Sequence, residues 1–107
     1  MTDLEPSLLR YFEATNAHDA DAVASLFADD ALVYDENADH RGRTAIRDWA
    51  QGTYDKYDMR LRPEHANHDG SATVVRTQVA GNFVSSPIEL QFSFVTDGEQ
   101  IRELRIG

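Results

Sequence analysis

The segment Ile88 to Thr96 reads IELQFSFVT, with Ile88, Leu90, Phe92 and Phe94 separated by single residues that are mostly polar. Side chains alternate across a strand, so this pattern demands a sheet with one apolar face and one wetter face. Three neighbours extend the same logic. Residues 72–80 (ATVVRTQVA) form a strand after an Asp69-Gly70 turn signal, and residues 58–68 form a weakly patterned strand before it. Residues 100–106 follow a second turn, Asp97-Gly98. There Ile101 and Leu104 break strict alternation, which predicts a bulge. The polar segment GNFVSSP, 81–87, is expected as a loop.

The N-terminal half has a different period. Leu4, Leu8, Tyr11, Phe12 and Thr15 repeat at helical spacing, predicting a helix over 3–17 opened by a Thr2/Glu5 capping box. Asp19 is a suitable N-cap for a second helix over 20–28, with Ala20, Val23, Ala24 and Phe27 as its apolar face. Ala31 to Glu36 reads as a short strand, and NADHRGR after it as a loop. Thr44 is placed to cap a third helix over 45–57, whose stripe holds Ile46, Trp49, Ala50, Thr53, Tyr54 and Tyr57. Helices lead and a meander of strands follows, which is an α+β order with no βαβ repeat. Three N-terminal helices against a strongly curved sheet of four to six strands are expected, in a single domain over 1–107.

Composition narrows the function. The formal charge is −9 and Lys56 is the one lysine, so phosphate backbones repel the chain and nucleic acid is not an expected partner. Cysteine is absent, which excludes disulfides and thiolate chemistry. No run approaches the roughly 20 apolar residues of a membrane span, and the acidic start lacks a signal stretch. A cytoplasmic location is the expectation. His65 and His68 would face opposite sides of a strand, so no metal site is expected, and no cofactor motif is present.

The stretch NAHDADAVASLFADDALVYD followed by RGRTAIRDW, in that order of elements, resembles the NTF2-like superfamily, and within it the SnoaL-like and ketosteroid-isomerase-like proteins. The resemblance implies a cone: a bent mixed or antiparallel sheet wrapped around a pocket, closed on one side by helices. It also implies dimerisation through the sheet. In ketosteroid isomerases a helix-one Tyr donates to the enolate oxygen, and Tyr11 matches it. Their general base is an Asp in the strand after the second helix, and Asp35 matches that, although Glu36 replaces the Pro that follows it. A third pocket acid falls at Leu90 when the Phe92–Phe94 pair sets the register, or at Glu89 after a slip of one.

The residues alone give a parallel account. Asp35 shares a face with Val33, and an inward carboxylate needs a partner or a raised pKa. Pairing with an arginine, or a solvent-facing place, is the plainer alternative. Tyr11 is either a donor to a carbonyl oxygen or a core tyrosine. His40, between the strand and Gly42, is a candidate for the pocket entrance; Arg41 and Arg43 serve either there or in ion pairs. Trp49, Leu90, Phe92 and Phe94 are candidate pocket residues, Trp49 also fitting the core stripe, and Phe83 is an apolar residue in a loop that needs a reason. Arg76 fits either a dimer face or a pocket charge. Three functions remain open: isomerase or cyclase acid/base chemistry on a hydrophobic carbonyl compound, non-catalytic binding of a hydrophobic small molecule, and a structural domain with a collapsed pocket. A homodimer is expected for each.

Overall fold

A computed structural model describes residues 4–107. Its elements are α1 (Pro6–Asn16), α2 (Ala20–Ser25), β1 (Phe27–Asp35), β2 (Ala38–Arg41), α3 (Arg43–Tyr57), β3 (Arg60–Asp69), β4 (Ala72–Ala80), β5 (Ile88–Asp97) and β6 (Gln100–Ile106). The strands form one curled six-stranded sheet in the order β2-β1-β6-β5-β4-β3. Helix α1 packs on β3 and β6, and α3 on β1 and β2. The α+β architecture is as expected. The sheet is mixed, because β1 runs parallel to β6 while every other pair is antiparallel.

Several boundaries differ from the sequence reading, each for a local reason. Thr2 lies outside the described residues. Glu5 is the N-cap of α1 but makes no capping bond. Its carboxylate instead accepts from the Thr96 hydroxyl at 2.9 Å, tying the helix start to β5. Asp19 does cap α2, its Oδ1 accepting from the Ala22 amide at 3.1 Å. The helix stops at Ser25, and Phe27 becomes a strand residue opposite Ile101. That arrangement keeps Asp29 and Asp30 away from the carbonyl end of a helix, where the macrodipole opposes acids.

The stretch 38–41 is a strand, contrary to expectation. Glu36 (φ 51°) and Asn37 (φ 62°) form a two-residue turn with both φ positive, which returns the chain antiparallel with Asp35 opposite Ala38. Gly42 (φ 88°), not Thr44, stands at the N-cap of α3. In the last strand Val95 pairs with Glu103 and Thr96 with Ile101, so Arg102 is the bulged residue. The bulge lets Ile101 and Leu104 both be buried.

Alternation builds the concave face. Val75, Thr77 and Val79 of β4 and Phe92 and Phe94 of β5 are buried, while Arg76 and Gln91, opposite one another, are exposed. Tyr11 and Phe12 of α1 meet Phe94 edge-on, with ring centroids 5.3 Å apart for Tyr11–Phe94 and 5.9 Å for Phe12–Phe94. Such pairs add about 0.5–1.5 kcal/mol each beyond area burial. This cluster fills one part of the cone. The part next to it stays open.

Candidate active site

The open part is a cavity of about 330 Å³, within the range of small-ligand pockets. Its wall combines residues of α1, β1, α3, β4, β5, β6 and the 81–87 loop, among them Tyr11, Asp35, Trp49, Phe83, Leu90 and Phe92. Apolar groups dominate: Val79, Ile88, Leu90, Phe92 and Ile106 supply the sheet side.

Asp35 ends β1 on the face of the fully buried Val33 and lies half-buried. The Trp49 indole N–H donates to its Oδ2 at 3.1 Å. Burial pushes the Asp35 carboxyl above the usual aspartate value; the Trp49 bond pulls the other way without cancelling it. Arg43, the cation best able to undo this, is engaged elsewhere. Its Nε donates to the Phe27 carbonyl at 2.8 Å and its guanidinium pairs with Asp29 at 2.8 Å.

Tyr11 is 2% exposed and sits where the aromatic cluster meets the cavity. Burial raises its hydroxyl pKa far above the ordinary range, with the neighbouring Thr15 hydroxyl opposing the shift. The group therefore stays protonated and keeps a hydrogen to donate. Tyr54 lines the same wall, its hydroxyl 3.5 Å from Thr15 Oγ1 and its ring stacked on His18 at 4.9 Å.

Glu36, Tyr57 and Phe83 line the cavity and also reach solvent, which marks this side as its mouth. The Tyr57 hydroxyl donates to Glu36 Oε2 at 2.7 Å, and Tyr57 and Phe83 meet edge to face at 5.8 Å. Phe83 is held there because the loop is anchored: the Asn82 amide donates to the Tyr57 carbonyl at 2.6 Å and the Gly81 amide to Ser86 Oγ at 3.0 Å. That anchorage accounts for an apolar side chain in a polar loop.

Two pocket expectations need correcting. Phe94 does not line the cavity; it is consumed by the packing with Tyr11 and Phe12. His40 also lies outside the lining, opposite Val33 on the edge strand, its ring 5.9 Å from that of Trp49. The register question has an answer in β5: Leu90 lines the cavity, while Glu89 is exposed and 3.8 Å from Arg76. Arg41 donates to the Asp30 carbonyl at 3.0 Å. Sequence reasoning missed Glu36, Tyr57, Met59 and Thr15 as lining residues. Glu36 reaches the wall through the two-residue turn with Asn37, whereas the sequence pattern places it at the end of the strand on the face opposite Asp35. Among the described residues no group of three or more His, Asp or Glu could hold a metal ion, and no helix is long and apolar enough to cross a membrane.

Comparisons with known proteins agree on the fold. The SnoaL-like domain model matches residues 8–102. The crystal structure of a proposed polyketide cyclase from Sinorhizobium meliloti is 35% identical, superposes with a TM-score of 0.93, and covers 98% of this chain and 96% of its own. A Catenulispora acidiphila protein with a ketosteroid-isomerase-like fold, solved in complex with trimethylamine, is 19% identical with a TM-score of 0.85, covering 98% of this chain and 86% of its own. The epoxide hydrolase/cyclase-like enzyme of pyran-ring formation in the polyether salinomycin is 22% identical with a TM-score of 0.78, covering 94% and 85%. No curated protein matches significantly. The helices, the curled sheet around its cavity and a family match over nearly the whole length agree: this chain belongs to the SnoaL-like domain family.

Proposed function

We propose that this chain is a small-molecule enzyme performing acid/base chemistry on a hydrophobic carbonyl compound. Asp35 takes a proton from the carbon next to the carbonyl, and Tyr11 donates a hydrogen bond to the enolate oxygen that develops. If Asp35 returns the proton at another carbon, the outcome is isomerisation. If the enolate carbon attacks a second carbonyl carbon of the same molecule, the C=O π bond opens to an alkoxide that takes the proton back from Asp35, and a ring closes. The observation carrying this reading is one cavity containing both a carboxyl with a raised pKa and a buried tyrosine hydroxyl. The polyketide cyclase proposed for the 35%-identical relative supports the ring-closing outcome.

The test is deuterium exchange at the α-carbon of an apolar ketone in heavy water, followed by NMR. Exchange catalysed by the wild type and reduced by about 10²–10⁴-fold in Asp35→Asn is expected. Equal exchange rates for the two proteins would overturn the assignment.

Leu90, standing where a third acid is expected, favours a second reading: non-catalytic binding of a hydrophobic small molecule in the same cavity. Binding of apolar probes with no exchange on any carbonyl compound would select it. Under either reading we place the chain in the cytoplasm as one domain, paired with a second copy through the outer face of the sheet. Sedimentation at monomer mass at every concentration would refute the pairing.

A further inference from the structure

Among the described residues, none that lines the cavity is a lysine, arginine or histidine. The wall contains two carboxylates, Asp35 and Glu36, adjacent in sequence at one end, and around that end the rings of Trp49, Tyr57 and Phe83. The opposite wall is hydrocarbon and Phe92. A ligand with an anionic group would meet two carboxylates and no cation of the wall itself. A ligand with a cationic group would meet both acids and the negative faces of aromatic rings. The net charge of −9 adds a field of the same sign over the whole molecule.

The protein contains an internal copy of this interaction. Lys56 Nζ lies 5.0 Å from the Tyr57 ring centroid and 4.0 Å from Glu36 Oε2. Its side chain is 65% exposed and it does not line the cavity, so it reaches the Tyr57–Glu36 pair from outside. An ammonium group is therefore already accommodated at one side of that pair.

We propose that the cavity selects ligands carrying a protonated amine on an apolar body, the ammonium seated at the mouth among Asp35, Glu36, Trp49 and Tyr57. The body then lies along Leu90, Phe92 and Ile106, toward Tyr11. This rests on the cavity of the proposed function and names the substrate class it would take: an amino-substituted carbonyl compound. Lys56 competes for the same acid and ring, so it weakens the site.

Trp49 is the one tryptophan and stands in the cavity wall, so its fluorescence reports occupancy. The probes are phenylbutylamine, phenylbutanol and phenylbutyrate, matched in size and differing in charge. The amine is expected to bind about tenfold tighter than the alcohol, and the carboxylate weakest. Glu36→Gln should lower the amine affinity roughly threefold to tenfold and the alcohol affinity by less, and Lys56→Gln should raise the amine affinity. An alcohol that binds as tightly as the amine, a carboxylate that outbinds the alcohol, or no amine binding overturns the inference. A neutral apolar ketone, followed for α-deuterium exchange, separates the two proposals. Asp35-dependent exchange without amine preference removes this inference and keeps the enzyme reading. Amine preference without exchange on any carbonyl compound does the reverse.

Discussion

The indole N–H of Trp49 donates to Asp35 Oδ2 at 3.1 Å, from a helix to the end of a strand. This bond favours the ionised carboxylate, whereas burial favours the neutral acid, and burial is the larger influence. Trp49→Phe keeps an aromatic surface and removes the donor. The Asp35 carboxyl should then titrate at still higher pH, read directly by NMR of its side-chain carbon. A downward shift would mean that another donor controls Asp35.

Asp35 should also leave a signature in stability. Its folded-state pKa is raised above the ordinary aspartate value of 3.8. Between those two values the folded state holds more protons than the unfolded state, so stability falls as pH rises through the interval. Asp35→Asn removes that loss and can still accept the Trp49 bond. The variant should be more stable than wild type near neutral pH, and the difference should vanish below pH 3.8. Denaturant melts at three pH values check this; a variant less stable at neutral pH would contradict it.

Tyr11→Phe isolates the hydroxyl from the ring. The ring packs against Phe12, Phe27, Phe92 and Phe94, and all of those contacts survive the change. Exchange of an apolar ketone should fall about 10²-fold or more, as for loss of one oxyanion donor, while folding is retained. Undiminished exchange in the variant would remove Tyr11 from the chemistry.

Gly81 sets the mouth. A Cβ there would lie 2.5 Å from the Tyr57 carbonyl oxygen, a backbone atom that cannot rotate away. Gly81→Ala should therefore displace the 81–87 loop, costing about 1–3 kcal/mol and releasing Phe83 from Tyr57. Thermal melts give the first effect. Faster quenching of Trp49 fluorescence by acrylamide gives the second, and an unaltered melting temperature would contradict the strain.

Much of the fold was legible because alternation is a strong local signal. Strands 72–80 and 100–106 coincide with β4 and β6 residue for residue, and the bulge in β6 follows from Ile101 and Leu104. Strand β2 was not legible: ADHR at an edge buries little, so no apolar pattern marks it. The parallel pairing of β1 with β6 leaves no mark either, since neither strand's pattern encodes its neighbour. In the site, alternation placed Leu90, Phe92 and Phe94 on one face but carries no information about depth. Phe92 borders both the cavity and the packed cluster, and Phe94 lies wholly within the cluster. Glu36 was invisible as a wall residue because its direction depends on a left-handed turn, not on the strand before it.

The parallel seam between β1 and β6 has a consequence for how the molecule assembles. Val33 pairs with Leu104 and Tyr34 with Arg105, joining two stretches far apart in the chain. Such pairing closes a loop of about two thirds of the chain, and contacts that distant in sequence slow folding. During synthesis the inner edge of β1 stays unpaired until β6 has been made. Only then does the strand that carries Asp35 acquire its second neighbour. A nascent chain lacking residues 100–106 would therefore present a bare strand edge to other chains.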